Sequence, residues 1–320
     1  MRYFLLFVAL TWQLIAFADA DVKSWLMRMN EAANSLDYDG IYVHVNDNHI
    51  DSLRIVHKIK PEGIYERLYA LNGIPREVIR DPQRVWCFIP DKSMGVLGAR
   101  PGKDSGFPGF MVSKIEQLTD HYNLSVDGHD RIADRDATRI RILPQDALRY
   151  GYDLWADNET GLLLKTQLVD KSGVPVEQYL FVLLNIGSSI PDSALEPMTP
   201  KSELVWHQDK QPPRTTAIKE STWDIAKLPE GYRIIKMVHR WMPMEDNAVE
   251  QIVLSDGLGA VSVFIEPASG GDMSPSLDRM GAVSAFSQNR DGWQVTVIGE
   301  VPPETVKLIG EGLVRRQGNE

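Results

Sequence analysis

Three runs of sequence decide the fold: GIYERLYA at residues 63–70, PREVIR at residues 75–80 and VWCFIP at residues 85–90. Each run is short, rich in β-branched and aromatic residues, and bounded by turn residues, which is typical of a β-strand. Two similar runs precede them, Gly40–Val45 and Ile50–Lys58. Because the connections between the five runs are short, they predict an antiparallel meander.

The rest of this part of the chain is predicted to contain two helices, a loop and further strands. An amphipathic helix is predicted just after residue 20 from the spacing of Val22, Trp25, Leu26, Met29, Ala32 and Leu36. Asp91–Gly109 is rich in Gly, Pro, Lys and Asp and predicts an exposed, mobile loop, and Phe110–Leu118 predicts a second helix. Further strands are predicted at Ser125–Ala133, Asp136–Leu143, Tyr150–Asp157, Gly161–Val169 and Val176–Ile186.

The first twenty residues have the layout of a secretory signal sequence. Arg2 supplies the basic start, an apolar run follows, and Ala18 and Ala20 are the small residues of a cleavage site. The apolar run is shorter than the roughly 20 residues of a membrane-spanning helix, which favours cleavage over a permanent anchor. We therefore expect residues 1–20 to be removed and the mature chain, beginning at Asp21, to be exported.

A proline-rich segment divides the mature chain. Five prolines fall between Ser189 and Arg214, where apolar periodicity is weak. We predict a large domain at residues 21–195, a linker at 196–218 and a small C-terminal α+β domain at 219–320. The small domain has predicted strands at Tyr232–Trp241, Ala248–Leu254, Ala260–Glu266, Gly281–Gln288 and Trp293–Gly299, followed by a helix that starts at Pro303.

Charge and cysteine content narrow the classes of function. The formal net charge is minus 10, so nucleic acid is not an expected partner. Cys87 is the only cysteine, so no intramolecular disulfide can form and stability must come from buried cores.

The sequence carries no sharp signature of catalysis. No nucleophile elbow, metalloprotease, phosphate-binding-loop or dinucleotide-binding motif occurs, and the seven histidines are dispersed. Ser255, Asp256 and His239 could form a catalytic triad, but Ser-Asp-Gly is an ordinary turn sequence. We predict no catalytic residue, no metal and no cofactor.

Arginines on the predicted strands of the large domain are the main candidates for binding. In Arg139-Ile140-Arg141-Ile142, the period of two places both guanidinium groups on one face of a strand and both isoleucines on the other. These arginines either pair with surface acids such as Glu66 and Glu77 or hold phosphate or carboxylate groups of a ligand or partner. The candidate ligand or partner site consists of Arg67, Arg76, Arg80, Arg139 and Arg141.

Several motifs resemble the RseB/MucB family of periplasmic negative regulators. In the large domain these are Glu66-Arg67-Leu68 with Leu71-Asn72-Gly73, REVIR at 76–80, RYGYDLW at 149–155 and TGLLLK at 160–165. In the small domain they are SDGL at 255–258, VSVFIEP at 261–267 and VTVIGEVP at 295–302. The resemblance runs in order over essentially the whole mature chain, and the loop Asp91–Gly109 is its least recognisable stretch.

The resemblance implies both a fold and a role. The fold is an unclosed antiparallel half-barrel with covering helices, similar to lipoprotein carriers of the LolA/LppX type, followed by a smaller antiparallel-sheet domain. The implied role is to bind the periplasmic part of a RseA/MucA-type transmembrane anti-sigma factor, to protect it from the first regulatory protease, and to release it when lipid or lipopolysaccharide binds. An unclosed barrel suits this role because an acyl chain gains about 0.8 kcal/mol for each buried CH₂ group.

Two other functions stay open from the sequence. A periplasmic carrier of lipid or lipoprotein would use the large domain alone, so deletion of residues 215–320 would spare its activity. A hydrolase would depend on Ser255 and His239. The sequence also leaves open whether the chain forms a homo-oligomer.

Overall fold

The computed structural model describes residues 21–47, 49–100, 120–208, 215–241, 248–268 and 274–316. The predicted signal sequence and the predicted helix Phe110–Leu118 lie outside these ranges. Within them, no helix is both long enough and apolar enough to span a bilayer.

The larger sheet has twelve strands and is not closed. Its order is β12-β6-β5-β4-β3-β2-β1-β11-β10-β9-β8-β7, and all neighbours are antiparallel except β12 and β6, which are parallel. The strands are β1 (Tyr38–Asn46), β2 (His49–Lys60), β3 (Gly63–Ala70), β4 (Glu77–Arg80), β5 (Arg84–Ile89), β6 (Met94–Ala99), β7 (Tyr122–Ile132), β8 (Arg135–Pro144), β9 (Gly151–Asp157), β10 (Leu163–Val169), β11 (Pro175–Ile186) and β12 (Val205–Gln208). This open, β-rich sheet confirms the predicted fold class.

One face of this sheet, which we call the inner face, packs against helix α1 (residues 21–35). The predicted helical stripe is confirmed, because Val22, Leu26 and Met29 are buried against Ile140 and Leu154. Further along the helix, Ala32 joins a second core with Tyr38, Tyr42, Leu53 and Ile55. The two cores beneath this helix include residues of seven neighbouring strands, from β2 through β1, β11, β10, β9 and β8 to β7 at the sheet edge.

The prediction of a mobile loop at Asp91–Gly109 is wrong for its first half. A 3-10 turn at Pro90–Lys92 leads into β6, which pairs with β5 along its length. This strand was not predicted because the glycines at 95 and 98 interrupt the alternation of apolar and polar side chains that is typical of a β-strand. Gly95 is needed there because a Cβ atom would lie 2.7 Å from the ring of Trp206 on the neighbouring strand.

The predicted linker is also more structured than expected. The chain crosses the outer face of the sheet through 3-10 turns at Asp192–Leu195 and Lys201–Glu203, adds β12 to the sheet edge, and enters the smaller sheet at residues 215–217. Lys58 Nζ donates to the backbone oxygen of Ile190 at 2.6 Å, and the amide of Met198 donates to Glu77 Oε2 at 3.1 Å. These contacts, rather than apolar periodicity, hold the segment in place. The domain limits 195/196 and 218/219 stay predictions.

The smaller sheet is antiparallel, with seven strands in the order β13-β15-β16-β17-β20-β19-β18, and a two-stranded sheet of β14 and β21 accompanies it. The elements are β13 (Thr215–Ala217), β14 (Trp223–Ile225), β15 (Arg233–Trp241), β16 (Ala248–Ser255), β17 (Ala260–Pro267), β18 (Ser276–Met280), β19 (Val283–Arg290), β20 (Trp293–Gly299), α2 (Pro303–Glu311) and β21 (Leu313–Arg315). Val306 and Ile309 of α2 pack on Ile252 and Val297. The five predicted strands and the predicted helix are all present, whereas the short strands β13, β14, β18 and β21 were missed because three to five residues carry little periodicity.

Candidate functional site

The five candidate arginines are divided between the two faces of the large sheet. The inner face includes Leu68, which packs into the core under α1, and its cross-strand partner Val78. Since side chains alternate along a strand, Glu66 and Arg80 share this face, whereas Arg67 lies on the outer face.

Arg67 is a buried structural residue. Its guanidinium hydrogen-bonds to the Glu77 carboxylate and donates to the backbone oxygen of Ala194 at 3.0 Å. Both charged side chains are buried beneath the segment that crosses the outer face. Arg67 therefore fastens that segment to the sheet and has little surface for a ligand.

Arg139 and Arg141 share one acid on the outer face of β8. Ile140 and Ile142 are fully buried on the inner face, which confirms the predicted alternation. Both guanidinium groups hydrogen-bond to the buried carboxylate of Asp153, the bond from Arg141 Nε measuring 3.0 Å. Arg141 Nη1 also donates to Asp127 Oδ2 at 3.2 Å, so two carboxylates offset the two positive charges.

Arg76 and Arg80 act on the inner face. Arg80 Nη1 lies 3.6 Å from Glu66 Oε2, and Arg76 is exposed just before β4. Burial raises the pKa of the Tyr42 hydroxyl, and the charges of Arg80 and Arg76 oppose this increase, which places both guanidinium groups near Tyr42. The structure thus places two of the five candidates on the inner face, with Glu66 beside Arg80.

An apolar wall on the inner face of β4–β6 lies beside these two arginines. Cross-strand pairing carries the inner face from Val78 to Cys87 and on to Val96. All three side chains are partly exposed, in contrast to the fully buried residues beneath α1. Burial raises the pKa of the Cys87 thiol, and the nearby charge of Arg80 opposes this effect. We call the set Val78, Val85, Cys87, Ile89, Met94 and Val96 the inner wall.

The junction between the two sheets is built on a buried ion pair. Arg149 Nη1 donates to Asp256 Oδ2 at 3.1 Å, and these side chains are 1% and 0% exposed. The same carboxylate oxygen accepts a hydrogen bond from the Tyr122 hydroxyl at 2.7 Å. Burial alone would lower the pKa of Arg149, but the hydrogen bond to Asp146 and the charge of Asp256 outweigh it, and the pKa is raised. The Arg149 guanidinium therefore stays positively charged throughout the physiological pH range.

The turn that carries Asp256 also places an apolar side chain in the large core. Asp256 Oδ1 accepts hydrogen bonds from the amides of Leu258 and Gly259 at 3.0 and 2.8 Å, which fixes the turn. Leu258 then packs against the core that contains Val22 and Leu26 of α1. The Ser255–Leu258 motif thus connects the smaller sheet to the helix that fills the larger one.

A second contact between the sheets lies around Glu177. Glu177 Oε1 is 2.5 Å from His44 Nε2 and accepts a hydrogen bond from the Tyr179 hydroxyl at 2.8 Å. Burial opposes ionisation, but the bonds to His44 and Tyr179 and the amide of Ala282 lower the pKa of Glu177. Nearby, the amide of Gly281 donates to Asp47 Oδ2 at 3.1 Å. The smaller sheet is thus held at two separate points.

The residues of the hypothetical triad are not assembled. The Ser255 hydroxyl donates to the backbone oxygen of Gly259, and the Asp256 carboxylate is bound to Arg149 at the junction. His239 lies further along β15, opposite Glu250 of β16 in the strand register. Among the described residues, no group of three or more His, Cys, Asp or Glu side chains is placed to hold a metal ion.

Comparison with known proteins decides the family. The model of the MucB/RseB N-terminal domain matches residues 21–199, and the model of the MucB/RseB C-terminal domain matches residues 217–314. The chain belongs to the MucB/RseB family. It is 31% identical to the sigma factor AlgU regulatory protein MucB of Pseudomonas aeruginosa, over 91% of this chain and 90% of that protein. It is 28% identical to the sigma-E factor regulatory protein RseB of Escherichia coli, over 90% and 89% of the two chains.

A solved structure of a MucB/RseB protein also matches nearly the whole chain. The MucB chain in the complex structure of Pseudomonas aeruginosa MucA/MucB superimposes with a TM-score of 0.71 and 27% identity, covering 93% of this chain and 100% of that one. The resemblance stated from the motifs is thereby confirmed.

Sequence reasoning missed the residues that join the two sheets of this MucB/RseB protein. Arg149 stands in the RYGYDLW motif, but nothing in the sequence pairs it with an acid 107 positions away. Asp256 was interpreted as a turn residue, which it also is. The signal that could have found the pair is the coincidence of both residues with family motifs, RYGYDLW and SDGL.

Proposed function

We propose that this chain is a periplasmic regulator that binds the periplasmic segment of a transmembrane anti-sigma factor and protects it from the first regulatory protease. The observation that carries the proposal is membership of the MucB/RseB family, together with similarity to a MucB chain solved in complex with MucA. Export follows from the predicted cleavage after residue 20. The role is binding rather than catalysis, and the curated relatives are described as regulatory proteins.

Release by lipid or lipopolysaccharide is the second part of the proposal. The inner wall offers partly exposed apolar side chains on a sheet face that α1 does not fully cover. Burial of an acyl chain against it is worth about 0.8 kcal/mol per CH₂ group. Arg76 and Arg80, beside the wall, supply positive charge for an anionic headgroup.

The junction supplies a route from lipid to partner. Leu258 of the smaller unit packs in the same core as α1. A movement of α1 over the inner face would therefore change how the smaller sheet packs against the larger one. A lipid that prefers the partner-free arrangement by about 3 kcal/mol weakens partner binding roughly 100-fold, and by linkage the partner weakens lipid binding equally.

A binding assay tests the regulator. The mature chain, residues 21–320, is mixed with the purified periplasmic segment of the anti-sigma factor, and the complex is detected by co-purification and light scattering. A complex in the micromolar range or tighter is expected, and light scattering also gives the number of copies of this chain. No complex at tens of micromolar contradicts the proposal.

Deletion of residues 215–320 separates the regulator from a pure lipid carrier, which the inner wall also suits. A carrier would keep its lipid affinity and have no protective activity to lose. The regulator is expected to lose protection of the anti-sigma segment, because both sheets contribute to the joined structure.

A further inference from the structure

A buried carboxylate oxygen beside the inner wall lacks a donor. Glu66 is 3% exposed, and its Oε1 atom has no hydrogen-bond partner within the described part of the chain. Its other oxygen, Oε2, accepts a hydrogen bond from Arg100 Nη2 at 3.1 Å and lies 3.6 Å from Arg80 Nη1. Leaving a buried acceptor unpaired is costly, so such an atom calls for a hydrogen-bond donor.

The register places this atom next to the track that an acyl chain would follow. One row of the inner face runs from Glu66 to Arg80 and Val85. The neighbouring row runs from Leu68 to Val78 and Cys87, and the two rows are about 7 Å apart, two residues along each strand. A ligand that lies along the apolar row therefore passes beside Glu66.

Two polar neighbours of Glu66, His57 and Arg100, also make contacts elsewhere. The cross-strand neighbour His57 contacts the backbone oxygen of Leu36 through Nδ1 at 3.0 Å and stacks on the ring of Tyr38. Arg100 also donates to the backbone oxygens of Ile64 and Asp81, at 2.9 and 3.1 Å. These contacts hold the carboxylate in a fixed direction, so its Oε1 is a preorganised acceptor.

The charges nearby restrict the chemistry of the donor. Arg80 and Arg100 disfavour an ammonium group at this position but favour an anionic or carbonyl oxygen beside it. A neutral hydroxyl a few bonds from a carbonyl or acid oxygen satisfies both demands, since the oxygen can face Arg80 while the hydroxyl donates to Glu66.

We propose that the inner face selects acyl ligands that carry a hydroxyl group on the carbon two bonds from the carbonyl, and that this hydroxyl donates a hydrogen bond to Glu66 Oε1. This inference rests on the lipid binding proposed above and names its preferred ligand class. A plain acyl chain would leave the same oxygen desolvated and unpaired, and sites built to bond a hydroxyl discriminate strongly against the analogue that lacks it.

The test compares matched ligands on the mature chain. Affinities for 3-hydroxymyristate and myristate are measured by competition against a fluorescent fatty acid, and the hydroxylated acid is expected to bind about tenfold tighter. A second arm compares lipopolysaccharide with dimyristoyl phosphatidylglycerol, whose chains have no hydroxyl. Preference in both arms points to an envelope lipid, and preference in the first arm alone points to a free hydroxy acid.

Two variants locate the preference. In Glu66→Leu the ratio of affinities for the two acids is expected to fall to about twofold or less, whereas in Glu62→Gln, an exposed turn residue, it should be unchanged. If Glu66→Leu fails to fold, the comparison in the unmodified chain still decides. Equal affinity for the two acids overturns the inference but leaves lipid binding intact, and no binding of any of these lipids contradicts both.

Discussion

Arg149 and Asp256, 107 positions apart in sequence, form an ion pair at the junction of the two sheets, with Nη1 and Oδ2 separated by 3.1 Å and both side chains almost fully buried. Tyr122 donates to the same oxygen, and Arg149 Nη2 donates to the backbone oxygen of Glu230 at 2.6 Å. Apart from the bonds between Arg149 and Asp146, these contacts join the larger sheet to the smaller unit or fix the turn between β16 and β17.

Removing one member of this pair should be strongly destabilising. Asp256→Asn leaves the buried Arg149 with only the partly exposed Asp146 as counter-ion, and we expect a loss of about 3 kcal/mol in the free energy of unfolding. Urea denaturation followed by tryptophan fluorescence measures it. The double variant Arg149→Met with Asp256→Leu should lose clearly less than the sum of the two single substitutions, because neither charge is then left alone. Additive losses would mean that the two charges are not coupled.

Leu258 should contribute more to the stability of the fold than a partly exposed leucine usually does. Leu258→Ala removes the apolar contact of the smaller unit with the core around α1, and we expect a loss of about 1 to 2 kcal/mol in the free energy of unfolding. Leu277→Ala serves as the matched control, because Leu277 is 46% exposed at the edge of the smaller sheet. If both substitutions cost the same small amount, Leu258 does not join the two units.

Acidification should weaken the fold through His57. Burial lowers the pKa of this imidazole, although the charge of Glu66 and the contact with Leu36 act in the opposite direction. The unfolded chain therefore binds a proton more readily than the folded chain. The stability linked to neutral His57 is complete above about pH 6.5, the ordinary value, and declines as the pH falls towards the lowered value.

Unfolding free energies at about pH 7.5 and about pH 5.5 test this for the unmodified chain and for His57→Phe. Phenylalanine keeps the stacking on Tyr38 but cannot be protonated. The unmodified chain should lose more stability on acidification than the variant, since the other six histidines are common to both. Parallel losses would exclude His57 as the source.

The single cysteine reports on the inner wall. Cys87 is half-buried beside Val78 and Val96, and its raised pKa predicts slow reaction with maleimide, because the thiolate is the reactive form. Bound lipid should slow the reaction several-fold further. Cys87→Ser combined with Val174→Cys moves the thiol to an exposed turn at the start of β11, where lipid should have no effect. Equal labelling rates of Cys87 with and without lipid would place the lipid elsewhere.

The sequence predicted the parts of the fold that depend on local periodicity. The stripe of Val22, Leu26 and Met29 and the alternation of Arg139 with Ile140 both describe the observed faces. β6 was missed because Gly95 makes room for Trp206, a requirement set by a distant strand.

The candidate site was predictable only in part. All five arginines could be selected from the sequence by residue type and by their position on predicted strands. Which of them lie beside the inner wall depends on strand register and on the path of the connecting segment. Arg67 is covered by that segment, and Arg139 and Arg141 are held by Asp153, whereas Arg76 and Arg80 lie on the helix-packed face. Pairing across a sheet is a tertiary property, and single-strand patterns do not contain it.

Cleavage of the anti-sigma periplasmic segment by its first regulatory protease tests the account most directly. The segment is incubated with protease alone, with the mature chain, and with the mature chain plus lipopolysaccharide, and the Arg76→Glu, Arg80→Glu variant is run beside the unmodified protein. The account predicts slow cleavage with the chain alone, restored cleavage when lipopolysaccharide is added, and a weaker response to lipopolysaccharide in the variant. Cleavage at the same rate with and without the chain would contradict it.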